Sequence, residues 1–191
     1  AVNGEKWDAE FENLVEKHRV ICETLGVEAG IDNLWGDVRG LLEERADKKE
    51  MPLNTYDLLI GFGERISSRI LAEYLNKNGV KAEVVDAYEI IFTDNNFTEG
   101  NVDFEKTDAA VKKIISPMLE KGVLPVITGF VGQSKDGQYI TLGRGGSDYT
   151  GGIVAAALAA KELQIWTDVN GIFNADPRLI PGAAALQKVS F

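Results

Sequence analysis

The chain has 191 residues, of which 45% are hydrophobic and 26% charged, the balance of a globular protein with apolar material for a sizeable core. A formal net charge of −10, with Lys and Arg scattered among acids, repels phosphate backbones and argues against a nucleic-acid partner. A single cysteine, Cys22, excludes an internal disulfide framework and fits a reducing, cytoplasmic setting. No apolar run reaches the roughly 18 to 20 residues of a membrane span, and no secretory signal pattern is present.

In chain order, residues 6–25 read as an amphipathic helix, with Trp7, Phe11, Leu14, Val15, Val20 and Ile21 near helical spacing and Gly26 as its stop. A second helix is expected over 33–48, with Leu34, Trp35, Val38, Leu41 and Leu42 on one side and Pro52 closing it. This acidic first part carries no chemical motif, and its one histidine, His18, reads as a surface residue among charges. The run 57–63 reads as a short buried strand entering a glycine turn, followed by a helix over 64–78 that ends at Gly79. Next come a strand at 82–87, a polar loop, a strong helix over 103–121 with Val111, Ile114, Ile115, Met118 and Leu119 at three and four, and a central strand at 124–130. A polar turn at Lys135-Asp136-Gly137 leads into a strand at 139–142, an Ala-rich helix over 149–162 and a last strand at 163–169. Apolar strands alternating with helices predict an α/β fold, a three-layer αβα sandwich around a mostly parallel open sheet.

Three stretches carry chemistry. The first is 141–148, Thr-Leu-Gly-Arg-Gly-Gly-Ser-Asp, between a strand and a helix. Its glycines let backbone approach a ligand, the helix start offers free amides and partial positive charge, and Arg144 adds a planar fork for carboxylate or phosphate. It lacks the Gly-Lys-Ser/Thr of a Walker A loop, and its bland reading is a turn in which Ser147 or Asp148 caps the helix. The second is 61–68, where Glu64 is expected in a first helical turn as a carboxylate for a substrate ammonium group. The third is 166–178, a strand end and a polar loop marked by glycine and proline, with Thr167 and Asp168 suited to a ribose or base edge, Phe173 to an adenine pocket and Arg178 to a phosphate. Together they suggest phosphoryl transfer with Mg²⁺ to a small charged acceptor. A carboxylate acceptor is already ionised at pH 7 and needs no base, which favours an acyl-phosphate product.

In these stretches the chain resembles the aspartate kinase family of the amino-acid kinase superfamily. The likeness rests on 63–68, on Gly129, Phe130 and Gly132, on 141–148, on 166–178, and on Pro181-Gly182-Ala183 with Val189-Ser190-Phe191; it spans residues 54–191 and is weak before them. It implies transfer of the ATP γ-phosphate to the β-carboxylate of L-aspartate, the first step toward lysine, threonine and methionine. By the same resemblance, Glu64 binds the α-ammonium, Arg144 the α-carboxylate, and Ser147 lies near the reacting carboxylate. Asp148 organises the phosphate and metal cluster; Gly145, Gly146, Thr167, Asp168, Phe173 and Arg178 serve the nucleotide, and no residue is assigned as a direct metal ligand.

Phe173 stands where the family usually has Tyr. The family's opening Lys-Phe-Gly-Gly strand has no counterpart in this sequence, nor do its regulatory ACT domains. The chain lacks an initial Met, and both ends read as cuts. The expectation is therefore a partial catalytic domain, helical over 1–53 and ligand-binding over 54–191, inactive by itself, from a cytoplasmic parent that self-associates. A kinase for glutamate, acetylglutamate or uridylate, or a non-catalytic binding or assembly module, is the alternative.

Overall fold

In the structure, a computed structural model, residues 7–46, 48, 50–167 and 171–188 are described. They fall into two compact units, Ala1–Lys161 and Glu162–Phe191.

The first unit opens with α1 (Asp8–Leu25) and α2 (Asp32–Arg45). α1 stops where Gly26 turns left-handed at φ 62°, and the Val27 N–H bonds back to the Cys22 carbonyl at 3.0 Å. Phe11 of α1 and Leu34 and Val38 of α2 are buried against Phe62, Ile66 and Ile70 of α3 (Leu53–Lys77). His18 lies at the surface, partly covered: it faces Trp35 edge-on at 5.1 Å, and its Nδ1 lies 2.8 Å from the Leu14 carbonyl oxygen.

α3 corrects two expectations. Residues 57–63 form no strand and no glycine turn but the middle of one helix of 25 residues, and Glu64 lies deep within it, not in a first turn. Leu58, Leu59, Phe62, Ile66 and Ile70 are spaced by one, three and four, and all pack toward the α1–α2 side. A short apolar run is compatible with either element, and here the helical period over the longer window decides. Gly61 serves close packing instead of a turn, since a Cβ there would stand 2.9 Å from Val131 Cγ1.

β1 (Ala82–Val85) pairs in parallel with β2 (Leu124–Ile127), the two linked through a 3-10 turn at Ala87–Glu89 and α4 (Phe104–Glu120). Side chains alternate across a strand, so the Val84–Val126 pair faces Ala72 and Leu75 of α3. The Val85–Ile127 pair faces the opposite core, with Val111 and Ile115 of α4 and Ile153 and Ala157 of α5 (Gly146–Ala157). β3 (Val131–Gln133) and β4 (Tyr139–Thr141) form an antiparallel hairpin, turned at Gly137 with φ 71°. Helices thus cover both faces of a small parallel sheet, an incomplete αβα fold. The described strands make one parallel and one antiparallel pair; of the expected strands, 57–63 is helical and 163–166 lies outside any ladder.

α5 starts three residues earlier than expected and stops at Ala157, beyond which Ala159 turns left-handed at φ 50°. In the second unit Phe173 bridges Ala185 antiparallel, and the Leu186 N–H bonds to the Ile172 carbonyl at 2.7 Å. The expected strand at 163–169 is not formed over 163–166, where Trp166 is 90% exposed. An apolar run becomes a strand only where a neighbour takes up its backbone groups, and the ladders of the described residues lie elsewhere. Asp168 and Val169 lie outside the described residues.

Candidate active site

Two of the three chemical stretches meet in the first unit. After β4 the chain turns at Gly143 (φ 76°) and Gly145 (φ 74°), and Gly145 is the N-cap of α5. No side chain caps this helix, so Ser147 and Asp148 stand in its first turn rather than before it. A helix start without a side-chain cap leaves amide N–H groups to be satisfied by solvent or by a ligand. These residues line a cleft of about 230 Å³ together with Glu64, Phe130, Gly145 and Gly146. Ser147 Oγ donates a long hydrogen bond of 3.5 Å to Glu64 Oε1, joining α5 to the middle of α3. Glu64 is partly buried, and Ser147 and Asp148 are exposed at the cleft surface.

Phe130 forms one wall and is a residue the sequence marked only as part of a motif. It holds φ 73°, a left-handed conformation uncommon for a bulky side chain. Its N–H donates to Thr150 Oγ1 at 3.1 Å, and its carbonyl accepts from the Leu142 N–H at 2.8 Å. Two glycines let this turn touch α5. A Cβ on Gly146 would stand 2.8 Å from Phe130 Cδ2, and one on Gly129 would stand 2.9 Å from Ser147 Cβ and Oγ. Gly146 therefore accommodates protein as well as any ligand.

Beside Glu64 on α3, Arg65 anchors the helix to the sheet. Its Nε lies 3.2 Å from Asp86 Oδ2, a charge pair in which the N–H is not aimed at the oxygen. The guanidinium covers the rings of Phe62 (4.9 Å) and Tyr139 (5.1 Å). The Tyr139 hydroxyl donates to Asp86 Oδ2 at 2.8 Å. Burial, then the neighbouring Asp86 charge, push the Tyr139 phenol well above its usual range.

Arg144 is exposed, is not among the residues lining the cleft, and makes no ion pair among the described residues. Of the third stretch, Thr167, Phe173 and Arg178 belong to the second unit, and Asp168 lies outside the described residues. There Arg178 is engaged by Asp176, with Nη2 at 3.0 Å and Nε at 3.1 Å, and it holds the Asp176 carboxyl below the usual carboxylate range. Phe173 is partly buried.

Residues 11–191 match the amino acid kinase family, and the chain belongs to that family. Its relatives there are aspartokinases. The chain is 39% identical over 187 residues to aspartokinase 3, chloroplastic, of Arabidopsis thaliana, which covers 95% of this chain and 33% of the relative. Among solved structures, it is similar to Escherichia coli aspartokinase III in complex with aspartate and ADP, with a TM-score of 0.78 and 32% identity over 82% of this chain and 34% of that one. The aspartate kinase of Clostridium acetobutylicum matches with a TM-score of 0.72 and 32% identity over 96% of this chain and 38% of that one. The chain thus spans about a third of the length of these relatives.

Proposed function

We propose that this chain is the acceptor-binding portion, with part of the nucleotide site, of an aspartate kinase that moves the ATP γ-phosphoryl group to the β-carboxylate of L-aspartate. The observation that carries the reading is the Glu64–Ser147 pair at the start of α5. A carboxylate at one end of a cleft and unused helix amides at the other suit a zwitterion with a second acidic group. In this reading Glu64 takes the α-ammonium and Arg144 swings in from the loop to the α-carboxylate. Ser147 hydrogen-bonds the reacting carboxylate. That oxygen is ionised at neutral pH, so no side chain has to remove a proton. The protein's contribution is alignment and a positive helix end facing the transferred charge.

Gly145 and Gly146 offer backbone to the phosphates, and Asp148 orders the groups around them. Thr167, Asp168, Phe173 and Arg178 are assigned to the nucleotide. Among the described residues no three His, Cys, Asp or Glu side chains cluster to hold a metal. Mg²⁺ therefore fits here as an ion held chiefly by nucleotide phosphates, with Asp148 the carboxylate nearest them in the assignment. When bound, it neutralises phosphate charge. Residues 1–53 serve, through α1 and α2, as a support behind α3, and residues 54–191 carry the ligand groups. Cytoplasmic placement and self-association of the whole protein belong to the same reading; among the described residues no helix is long and apolar enough to cross a membrane.

A free α-amine is what distinguishes aspartate from an acetylated acceptor or a nucleotide, and Glu64 favours it. Calorimetric titration with L-aspartate and with Mg-ATP, on the chain and on Arg144→Ala, tests the proposal. Aspartate binding that is lost in Arg144→Ala is expected. Equal binding to both proteins, or tighter binding of N-acetylglutamate or UMP, overturns it.

A further inference from the structure

Asp57 is a carboxylate with 0% of its surface exposed, and it stands in none of the roles above. It makes no ion pair among the described residues; its partners are three donors. Its Oδ2 accepts the Thr98 N–H at 2.8 Å and the Thr141 N–H at 3.1 Å, and its Oδ1 accepts the Thr141 hydroxyl at 2.9 Å. Such a buried acceptor is expensive to leave unmatched, so these bonds are kept together.

Both partners bear on the glycine loop. Thr141 ends β4, two residues before Gly143. Thr98 is a β-branched residue at φ 71°, a conformation that its neighbours must enforce. Its carbonyl lies against Gly143, where an added Cβ would stand 3.3 Å away, and the Gly100 N–H bonds the Thr141 carbonyl at 2.9 Å. Asp57 and Glu64 are seven positions apart on α3, about two helical turns, so they leave the helix on one face. One carboxylate faces the cleft; the other holds the loop that builds its far side.

We infer that Asp57 is a positioning residue: it fixes the 141–148 loop against α3 and so sets the spacing between Glu64 and the start of α5. The inference rests on the reading of this cleft as the aspartate site. Asp57→Asn keeps the shape but turns one acceptor into a donor that faces donors.

The test compares Asp57→Asn with Val111→Ala, a core change at a fully buried site in α4, by amide hydrogen exchange of the ligand-free chain and by L-aspartate calorimetry. Exchange over 142–146 at least about tenfold faster in Asp57→Asn, relative to the amides of α4, with an affinity loss of about tenfold, is expected from the loss of charge-assisted hydrogen bonds. Val111→Ala should lower melting temperature without either effect. Should Asp57→Asn fail to fold, Thr141→Val, which removes only the hydroxyl bond, is expected to loosen the same amides about threefold. Loop exchange that tracks melting temperature alike in both variants overturns the inference, as does a loosened loop with unchanged affinity. If the unmodified chain binds no aspartate, or binds it equally well as Glu64→Gln, the functional reading falls instead, and loop exchange alone then decides whether Asp57 holds the loop.

Discussion

Glu64 and Ser147, 83 positions apart in sequence, meet at 3.5 Å between Oε1 and Oγ. The contact is too long to be a strong bond, and a ligand ammonium that arrives between helix α3 and the α5 start can replace it. Glu64→Gln keeps the hydrogen-bonding shape and removes the charge. Aspartate affinity is expected to fall by about tenfold to a hundredfold, the range for a charge-assisted hydrogen bond. Thermal stability should hold within about 0.5 kcal/mol, as for a partly exposed site. Isothermal calorimetry and a melting curve read the two quantities separately, and unaltered affinity removes Glu64 from the site.

Gly61 and Gly63 separate two accounts of the same segment. A Cβ on Gly63 meets nothing within 4 Å, so in a continuous helix Gly63→Ala should stabilise by about 0.5–1 kcal/mol. Gly61→Ala places its methyl 2.9 Å from a methyl of Val131, which is itself fully buried. A loss of about 1–3 kcal/mol is expected from overpacking. Urea unfolding of both variants checks the signs. Destabilisation by Gly63→Ala contradicts the helix.

Gly129→Ala should disturb the site more than the fold's far side. The added carbon would stand 2.9 Å from Ser147 Cβ and 3.0 Å from Ser147 Cα, and a backbone atom cannot rotate away. The expected outcome is a displaced α5 start, a stability loss of about 1–3 kcal/mol and weakened aspartate binding. A melting curve with a ligand titration tests it, and full retention of both rejects the contact.

Tyr139 yields a pH prediction. Its phenol is raised in the folded state by burial and by Asp86, so the folded chain keeps its proton at pH values where an unfolded tyrosine loses it. Stability from this group is fully present below the unfolded value of about 10 and declines as pH rises above it. Tyr139→Phe should flatten this alkaline decline. At neutral pH it should cost about 1–3 kcal/mol, because Asp86 loses a donor. Melting temperatures from pH 7 to 11 on both proteins measure the difference, and parallel curves contradict it.

Helices α1, α2 and α4 were legible from apolar positions at three and four, with Gly26 and Asp103 as their boundaries. β1, β2 and β4 were legible as short apolar runs. The 57–63 run was not, since six consecutive apolar or glycine positions, 58–63, satisfy either element until a partner is chosen. The same ambiguity hid Asp57: an acid beside an apolar run reads as a strand end, and only the folded chain brings Thr98 and Thr141 to it. Phe130 carried no signal of its own, because its left-handed backbone is imposed by Thr150, Leu142 and Gly146 from elsewhere.

By itself, then, the order of residues determined the chemistry on offer: an anion-suited glycine turn, a carboxylate, an arginine and the family to which they belong. These are local properties, written in residue type and spacing. Tertiary structure decided that Glu64 sits in mid-helix, that Ser147 stands opposite it, and that Gly129, Gly146 and Asp57 set the distance between them. Those are contacts between residues far apart in the chain, chosen by packing and by the need of buried polar groups for partners, and no local pattern encodes them.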